Sequence, residues 1–171
     1  THFLQMLHRT ENFPAVILRL FLTYGPGQED TRRFLPQIIR GCLADSTFPT
    51  SAGEQLRDFC YVDDTVRAIL QAMIVPKVTG EVFNVASGAP ITIRAIIEKI
   101  CSLTGSGKPQ FAKIPYRIGE NMALYANVEK AEKILKWKVA VNLNKGLRNT
   151  IDWFACVNAR KPPRKYYNEL L

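Results

Sequence analysis

Gly53-Glu54-Gln55-Leu56-Arg57-Asp58-Phe59-Cys60-Tyr61-Val62-Asp63-Asp64 runs from a short strand into a helix, and its reading decides the fold. Leu56 to Val62 is rich in aromatic and β-branched residues, which suit a pleated, packed surface. Asp63 and Asp64 follow at once, and acidic residues favour the first turn of a helix, where unpaired N–H groups make the end positive. The helix they open carries Val66, Ile69, Leu70 and Met73 on one face. Arg57 and Asp58 open the strand and place a guanidinium at the sheet edge. The planar fork of arginine matches phosphate with two parallel hydrogen bonds. An Arg–Asp surface pair accounts for the same two residues equally well.

Upstream, Ala15-Val16-Ile17-Leu18-Arg19-Leu20 is a nearly continuous apolar run that suits a buried strand. It leads into Tyr24-Gly25-Pro26-Gly27-Gln28, a turn at a strand exit, where α/β proteins place ligands. Phe34, Leu35, Ile38, Ile39, Cys42 and Leu43 then recur at helical spacing. Downstream, Glu81 to Val85 reads as a strand and Ser87-Gly88-Ala89-Pro90 as a turn. Thr92 caps a helix carrying Ile93, Ile96, Ile97, Ile100 and Cys101, and Gly105 ends it. Two more helices are expected: Val128 to Leu135, capped by Asn127, and Leu143 to about Val157, with Leu143, Leu147, Ile151 and Phe154 facing inward. Alternation of strand and helix gives a mixed α/β or α+β fold. Phe3, Leu4 and Leu7 already share a helical face, so the chain opens inside what reads as the second half of a longer helix.

The 171 residues, 47% of them hydrophobic, suffice for one ordinary core. No apolar run approaches the roughly 20 residues that cross a bilayer, so no membrane association is expected. The first residues lack the pattern of a signal peptide, so a cytoplasmic protein is expected. A net charge of +8 favours an anionic partner. The densest basic run, Arg160-Lys161-Pro162-Pro163-Arg164-Lys165, reads as a solvated segment without interleaved aromatic residues for stacking on bases, so no nucleic acid is expected. Cys42, Cys60, Cys101 and Cys156 lack metal or redox spacing and sit in apolar stretches, so all four are expected buried and reduced. His2 and His8 have no acidic or cysteine partner at metal spacing, and no metal site is expected. Gly105-Ser106-Gly107-Lys108 lacks the first glycine and the closing Ser or Thr of a phosphate loop and reads as a post-helix turn. Arg117, in the Pro/Gly-bounded stretch Ile114-Pro115-Tyr116-Arg117-Ile118-Gly119-Glu120, is a second arginine that could clamp a diphosphate with Arg57.

In order, five blocks resemble the extended short-chain dehydrogenases/reductases (SDRs). They are Leu18-Arg19-Leu20-Phe21 with Tyr24-Gly25-Pro26; Arg57-Asp58-Phe59 with Tyr61-Val62-Asp63-Asp64; Gly80-Glu81-Val82-Phe83-Asn84-Val85; Arg117-x-Gly119-Glu120; and Val128-Glu129-Lys130-Ala131 through Ile134-Leu135-Lys136-Trp137-Lys138. The family includes nucleotide-sugar epimerases, 4,6-dehydratases and 4-reductases of polysaccharide and lipopolysaccharide precursor synthesis. The resemblance implies a preceding Rossmann domain with a glycine-rich turn for NAD or NADP and a catalytic Tyr-x-x-x-Lys pair. Neither motif stands before Arg19, so residues 1–171 are expected to be the C-terminal substrate-binding portion, beginning just after the catalytic helix segment. No catalytic residue and no cofactor bound by this chain alone are then expected.

The resemblance also implies roles. Phe21 would touch the nicotinamide end of the cofactor, and Arg33 and Phe34 would line the nucleotide site. Thr50 would lie against the base, Arg57 and Arg117 would grip the sugar diphosphate, and Asn84 and Glu120 would lie near the nucleoside and its ribose. Leu22 stands where the family usually has a substrate-binding Asn, so the sugar would be held differently. Expected partners are a nucleotide-diphosphate sugar, the Rossmann domain and a second copy in a homodimer. Two other readings are a non-catalytic nucleotide-binding module and a basic nucleic-acid-binding protein.

Overall fold

The computed structural model describes residues 1–160; residues 161–165 of the basic run lie outside them. Along the chain stand α1 (His2–Glu11), β1 (Ile17–Leu20), β2 (Leu22–Tyr24), α2 (Phe34–Leu43), β3 (Thr47–Pro49), β4 (Leu56–Arg57), β5 (Phe59–Tyr61) and α3 (Val62–Ile74). There follow β6 (Val82–Val85), β7 (Ile91–Thr92), α4 (Ile93–Thr104), β8 (Lys108–Gln110), β9 (Ala123–Leu124), α5 (Glu129–Ile134) and α6 (Leu143–Arg160). The expected mixed α/β character is found. The strand expected over Leu56 to Val62 is two strands in two sheets, broken at Asp58.

β1 runs parallel to β6, with Ile17 opposite Val82 and Leu20 opposite Val85. β2 runs parallel to β5, with Leu22 opposite Phe59 and Tyr24 opposite Tyr61. The chain changes partner between them at Phe21, whose N–H still donates to the Val85 carbonyl at 3.0 Å. β4 lies between β7, antiparallel, and β9, parallel. Arg57 therefore sits on the central strand of a small sheet, which corrects the expected edge position.

All of Phe59, Cys60 and Tyr61 are buried, which a strand achieves only when both of its faces are covered. Successive side chains point to opposite faces. Phe59 and Tyr61 join a core with Ile38 and Ile39 of α2, Ile96 and Ile100 of α4, and Phe154 of α6. Cys60 joins a second core with Ala68, Phe83, Val85, Leu135 and Trp137. Asp64 knits this second side together: its carboxylate accepts from Ala140 N at 3.1 Å and Val141 N at 3.0 Å, and its carbonyl from Trp137 Nε1 at 2.9 Å. The cap read at Thr92 is formed, with its Oγ1 accepting from Ala95 N, whereas α5 is capped by Val128, and Asn127, one position earlier, accepts from Glu129 N through its Oδ1. Gly105 ends α4 in the left-handed region at φ 68°, so Gly105 to Lys108 is a post-helix turn.

One expectation is met and another needs correction. Val66, Ile69, Leu70 and Met73 do share a face of α3, but that face is exposed, Met73 by 75%. The buried side carries Asp64, Thr65 and Ala68, the first two with their polar groups hydrogen-bonded. Of the four free cysteines, Cys42 and Cys60 are buried, and burial pushes their thiols up to about 12 and about 11. Cys101 is only half-buried, and Cys156 is exposed because α6 turns Phe154 inward and Cys156, two positions on, away from the core.

Gly146 is a close-approach position. A Cβ there would stand 2.2 Å from Tyr24 Oη and 2.9 Å from Tyr61 Cδ2. Tyr24 is wedged edge-on against Phe59 and Tyr61, with ring centroids 6.3 Å and 5.6 Å away. On an exposed helix, Gly→Ala stabilises by about 1 kcal/mol. Here overpacking of about 1–3 kcal/mol outweighs it, so urea denaturation of Gly146→Ala should show a net loss of stability; a gain would mean that the Tyr24 ring yields.

Candidate functional site

Between α2, α4 and the segment joining β8 to β9 lies a cavity of about 420 Å³. Phe34 and Ile38 of α2 and Ile93 and Ile97 of α4 form apolar walls, because these helices turn apolar faces towards the shared core and the ends of those faces reach the cavity. Thr50 and Gln55 line the approach to β4. Arg57, Arg117 and Glu120 supply the charges.

Arg57 is 12% exposed; its Nη1 donates to the Leu56 carbonyl at 2.8 Å and its Nη2 to Glu120 Oε1. Asp58, next in sequence, points the other way and is fully buried. Its carboxylate accepts from Ser87 N at 2.6 Å, Ser87 Oγ at 2.5 Å and Gly88 N at 3.1 Å. The Arg–Asp surface pair is therefore not formed. Asp58 holds the turn that leads into β7, and β7 pairs with β4 at Arg57.

The second arginine arrives on a strap. Lys113 N and Ile114 N donate to the Thr50 carbonyl at 3.0 and 3.1 Å, and Leu56 N donates to the Met122 carbonyl at 2.8 Å. Between these ties, Glu54 N donates to Tyr116 Oη at 3.1 Å. A tight turn, with Glu120 N donating to the Arg117 carbonyl at 3.0 Å and Gly119 at φ 76°, sets Arg117 and Glu120 on the same cavity. Sequence spacing left this convergence open.

Leu22 and Phe34 also border a second cavity of about 600 Å³, so the two adjoin there. Phe21 and Arg33 line the second cavity only, and the Arg33 side chain is 68% exposed with its Nε 3.8 Å from Asp30 Oδ2. Thr50 is buried, and its Oγ1 donates to the Ser51 carbonyl at 3.0 Å. Asn84 lines neither cavity; its Nδ2 donates to the Asn127 carbonyl at 3.1 Å and fastens the entry to α5. Sequence reasoning passed over Gln55 and Tyr116. The amide oxygen of Gln55 is buried without a partner among the described residues. The signal for each was its place within two positions of an arginine already singled out. Two arginines lining one cavity with apolar walls suit a ligand that joins a flat or apolar group to an anionic one.

The family model for the NAD dependent epimerase/dehydratase family matches residues 1–86. The chain belongs to this family of extended SDRs. It is 32% identical over 152 residues to the UDP-N-acetyl-alpha-D-glucosaminuronate decarboxylase of Bacillus cytotoxicus, covering 84% of this chain and 47% of that one. It is 25% identical to dTDP-glucose 4,6-dehydratase 1 of Escherichia coli, covering 90% of this chain and 44% of the relative. UDP-glucuronic acid 4-epimerase from Bacillus cereus, solved with UDP-glucuronic acid and NAD, superposes with a TM-score of 0.80 at 31% identity, covering 91% of this chain and 50% of that one. The chain thus spans about half the length of the curated relatives it matches. Among its described residues no helix is long and apolar enough to cross a membrane.

In this SDR chain Asp58 sets the register of the site from beneath. Asp58→Asn keeps the shape, removes the charge and turns one acceptor into a donor facing N–H and O–H groups. A loss of about 2–3 kcal/mol is expected, read as a lowered denaturation midpoint; unchanged stability would show that the turn at Ser87 holds itself.

Proposed function

We propose that this chain is the C-terminal, nucleotide-sugar-binding portion of a cytoplasmic NAD(P)-dependent nucleotide-sugar epimerase, 4,6-dehydratase or 4-reductase in polysaccharide precursor synthesis. The observation that carries the reading is the convergence of Arg57 and Arg117 on one cavity with apolar walls. A base has flat faces for Phe34 and the isoleucines, and a diphosphate has oxygens for both forks. Its binding, remote from the reacting sugar carbon, would orient the sugar for chemistry elsewhere. Leu22, in place of an amide, borders both cavities and leaves the sugar to be held by other groups. The four free thiols suit a reducing compartment.

NAD or NADP supplies hydride transfer in such enzymes. This chain's residues do not make a dinucleotide site: no Gly-x-x-Gly-x-x-Gly follows a strand here, and no Tyr-x-x-x-Lys precedes Arg19. In this reading the cofactor is held by the Rossmann portion and meets this part at Phe21, beside the second cavity. The exposed apolar face of α3 is where that portion would pack, since Val66, Ile69, Leu70, Met73 and Ile74 together are too much apolar surface to leave in water.

Thermal-shift and calorimetric titrations with UDP-glucuronic acid and dTDP-glucose test the reading. Binding is expected, without turnover by this chain alone, and Arg57→Ala or Arg117→Ala should weaken it about 10- to 100-fold, the worth of a charge-assisted contact. The charge of +8 keeps a nucleic-acid reading as the rival. Stabilisation by single-stranded RNA, with steep salt dependence and indifference to the nucleotide sugars, would sink the proposal.

A further inference from the structure

The cavity read as an anion receptor holds an anion of its own. Arg57 spends Nη1 on the Leu56 carbonyl and Nη2 on Glu120, and the two side chains are only 12% and 20% exposed. Its charge is therefore balanced before any ligand arrives. Arg117, three residues earlier on the same strap, pairs with no acid among the described residues. The turn that carries both is set by backbone geometry, with Gly119 at φ 76° and Ile118 fully exposed, so Glu120 is aimed at Arg57 by the fold.

We propose that Glu120 is a positioning residue that acts as an internal stand-in for phosphate: it occupies Arg57 in the empty site and holds the Arg117 strap against β4 until a diphosphate displaces it. This rests on the nucleotide-diphosphate reading and deepens it. Arg57 and Glu120 are buried together, and a guanidinium seated beside an apolar wall without a counter-charge would be costly, a cost the carboxylate relieves. An entering diphosphate takes Arg57 with one phosphoryl group and reaches Arg117 with the other. Like-charge repulsion then drives Glu120 off Arg57. A ligand with one phosphoryl group must break the same ion pair but gains only one arginine, so the exchange selects for diphosphates. It also sets affinity below what two arginines alone would give, which keeps the site reversible.

The test uses the whole chain at low salt, titrated with inorganic pyrophosphate, which has no base or ribose. Glu120→Gln keeps the shape and a hydrogen-bonding oxygen but removes the competing charge. It should bind pyrophosphate about tenfold more tightly than the parent protein, and the gain should vanish when Arg57→Ala is added. Unchanged or weaker binding by Glu120→Gln would overturn the proposal. So would an equal gain in the Arg57→Ala background, because the effect would then be net charge alone. Glu120→Ala removes the same carboxylate and must give the same sign, which keeps the test intact if the glutamine variant folds poorly. A merely structural Glu120 would lower stability and affinity together, opposite to the expected gain. If Arg57→Ala leaves pyrophosphate and UDP affinity untouched, the nucleotide-binding reading falls with this one. If Arg57 matters and Glu120→Gln does nothing, only the stand-in role is lost.

Discussion

Asp58 is a carboxylate with no exposure to water, met by two donors from Ser87 and one from Gly88. A charge so placed is tolerated only when its acceptor sites are filled. The junction of β4 and β5 at Asp58 and the turn at Ser87 are therefore bound to one another. That turn leads into β7, β7 pairs with β4, and β4 carries Arg57. Strand alternation does the rest, because an Asp58 fixed inward obliges Arg57 to project to the other side, into the cavity. Structural and functional charge are thus adjacent residues with opposite fates.

The same alternation builds the two cores. Phe59 and Tyr61 face the helices α2, α4 and α6, while Cys60 faces β6, α3 and the Trp137 region. The cavity with the arginines opens where the first core runs out between α2 and α4 and the strap from β8 to β9 crosses their ends. Its walls are apolar because they are the margin of a core. Its charges come from β4 and the strap, the parts of the site not committed to packing.

Much of this was legible beforehand. Thr92 and Gly105 mark the ends of α4, Asn127 meets the start of α5, and Leu147, Ile151 and Phe154 turn inward, because capping and helical periodicity are local properties. The family was legible for a related reason: its motifs are short runs whose residues act within a few positions of one another. What escaped was non-local. The periodicity of Val66, Ile69, Leu70 and Met73 shows an apolar face correctly, but not whether anything in this chain covers it. Cys156 sits in an apolar stretch, yet its direction is decided by which side of α6 meets the core. Asn84 falls within a family block, and only the structure shows that its amide also fastens the Asn127 carbonyl.

By itself, the sequence determined the mixed α/β fold and the two arginines suited to phosphate, since periodicity and side-chain chemistry are carried residue by residue, and its motif blocks carried the resemblance to the family. Only the tertiary structure decided that Arg57 lies on a central strand, that Asp58 turns away to hold a buried turn, and that Arg117 and Glu120 come back to the same cavity 60 and 63 positions later. The reason is physical. Where a charged side chain ends up depends on which distant donors and acceptors desolvate with it, and those partners meet only once the chain has closed on itself.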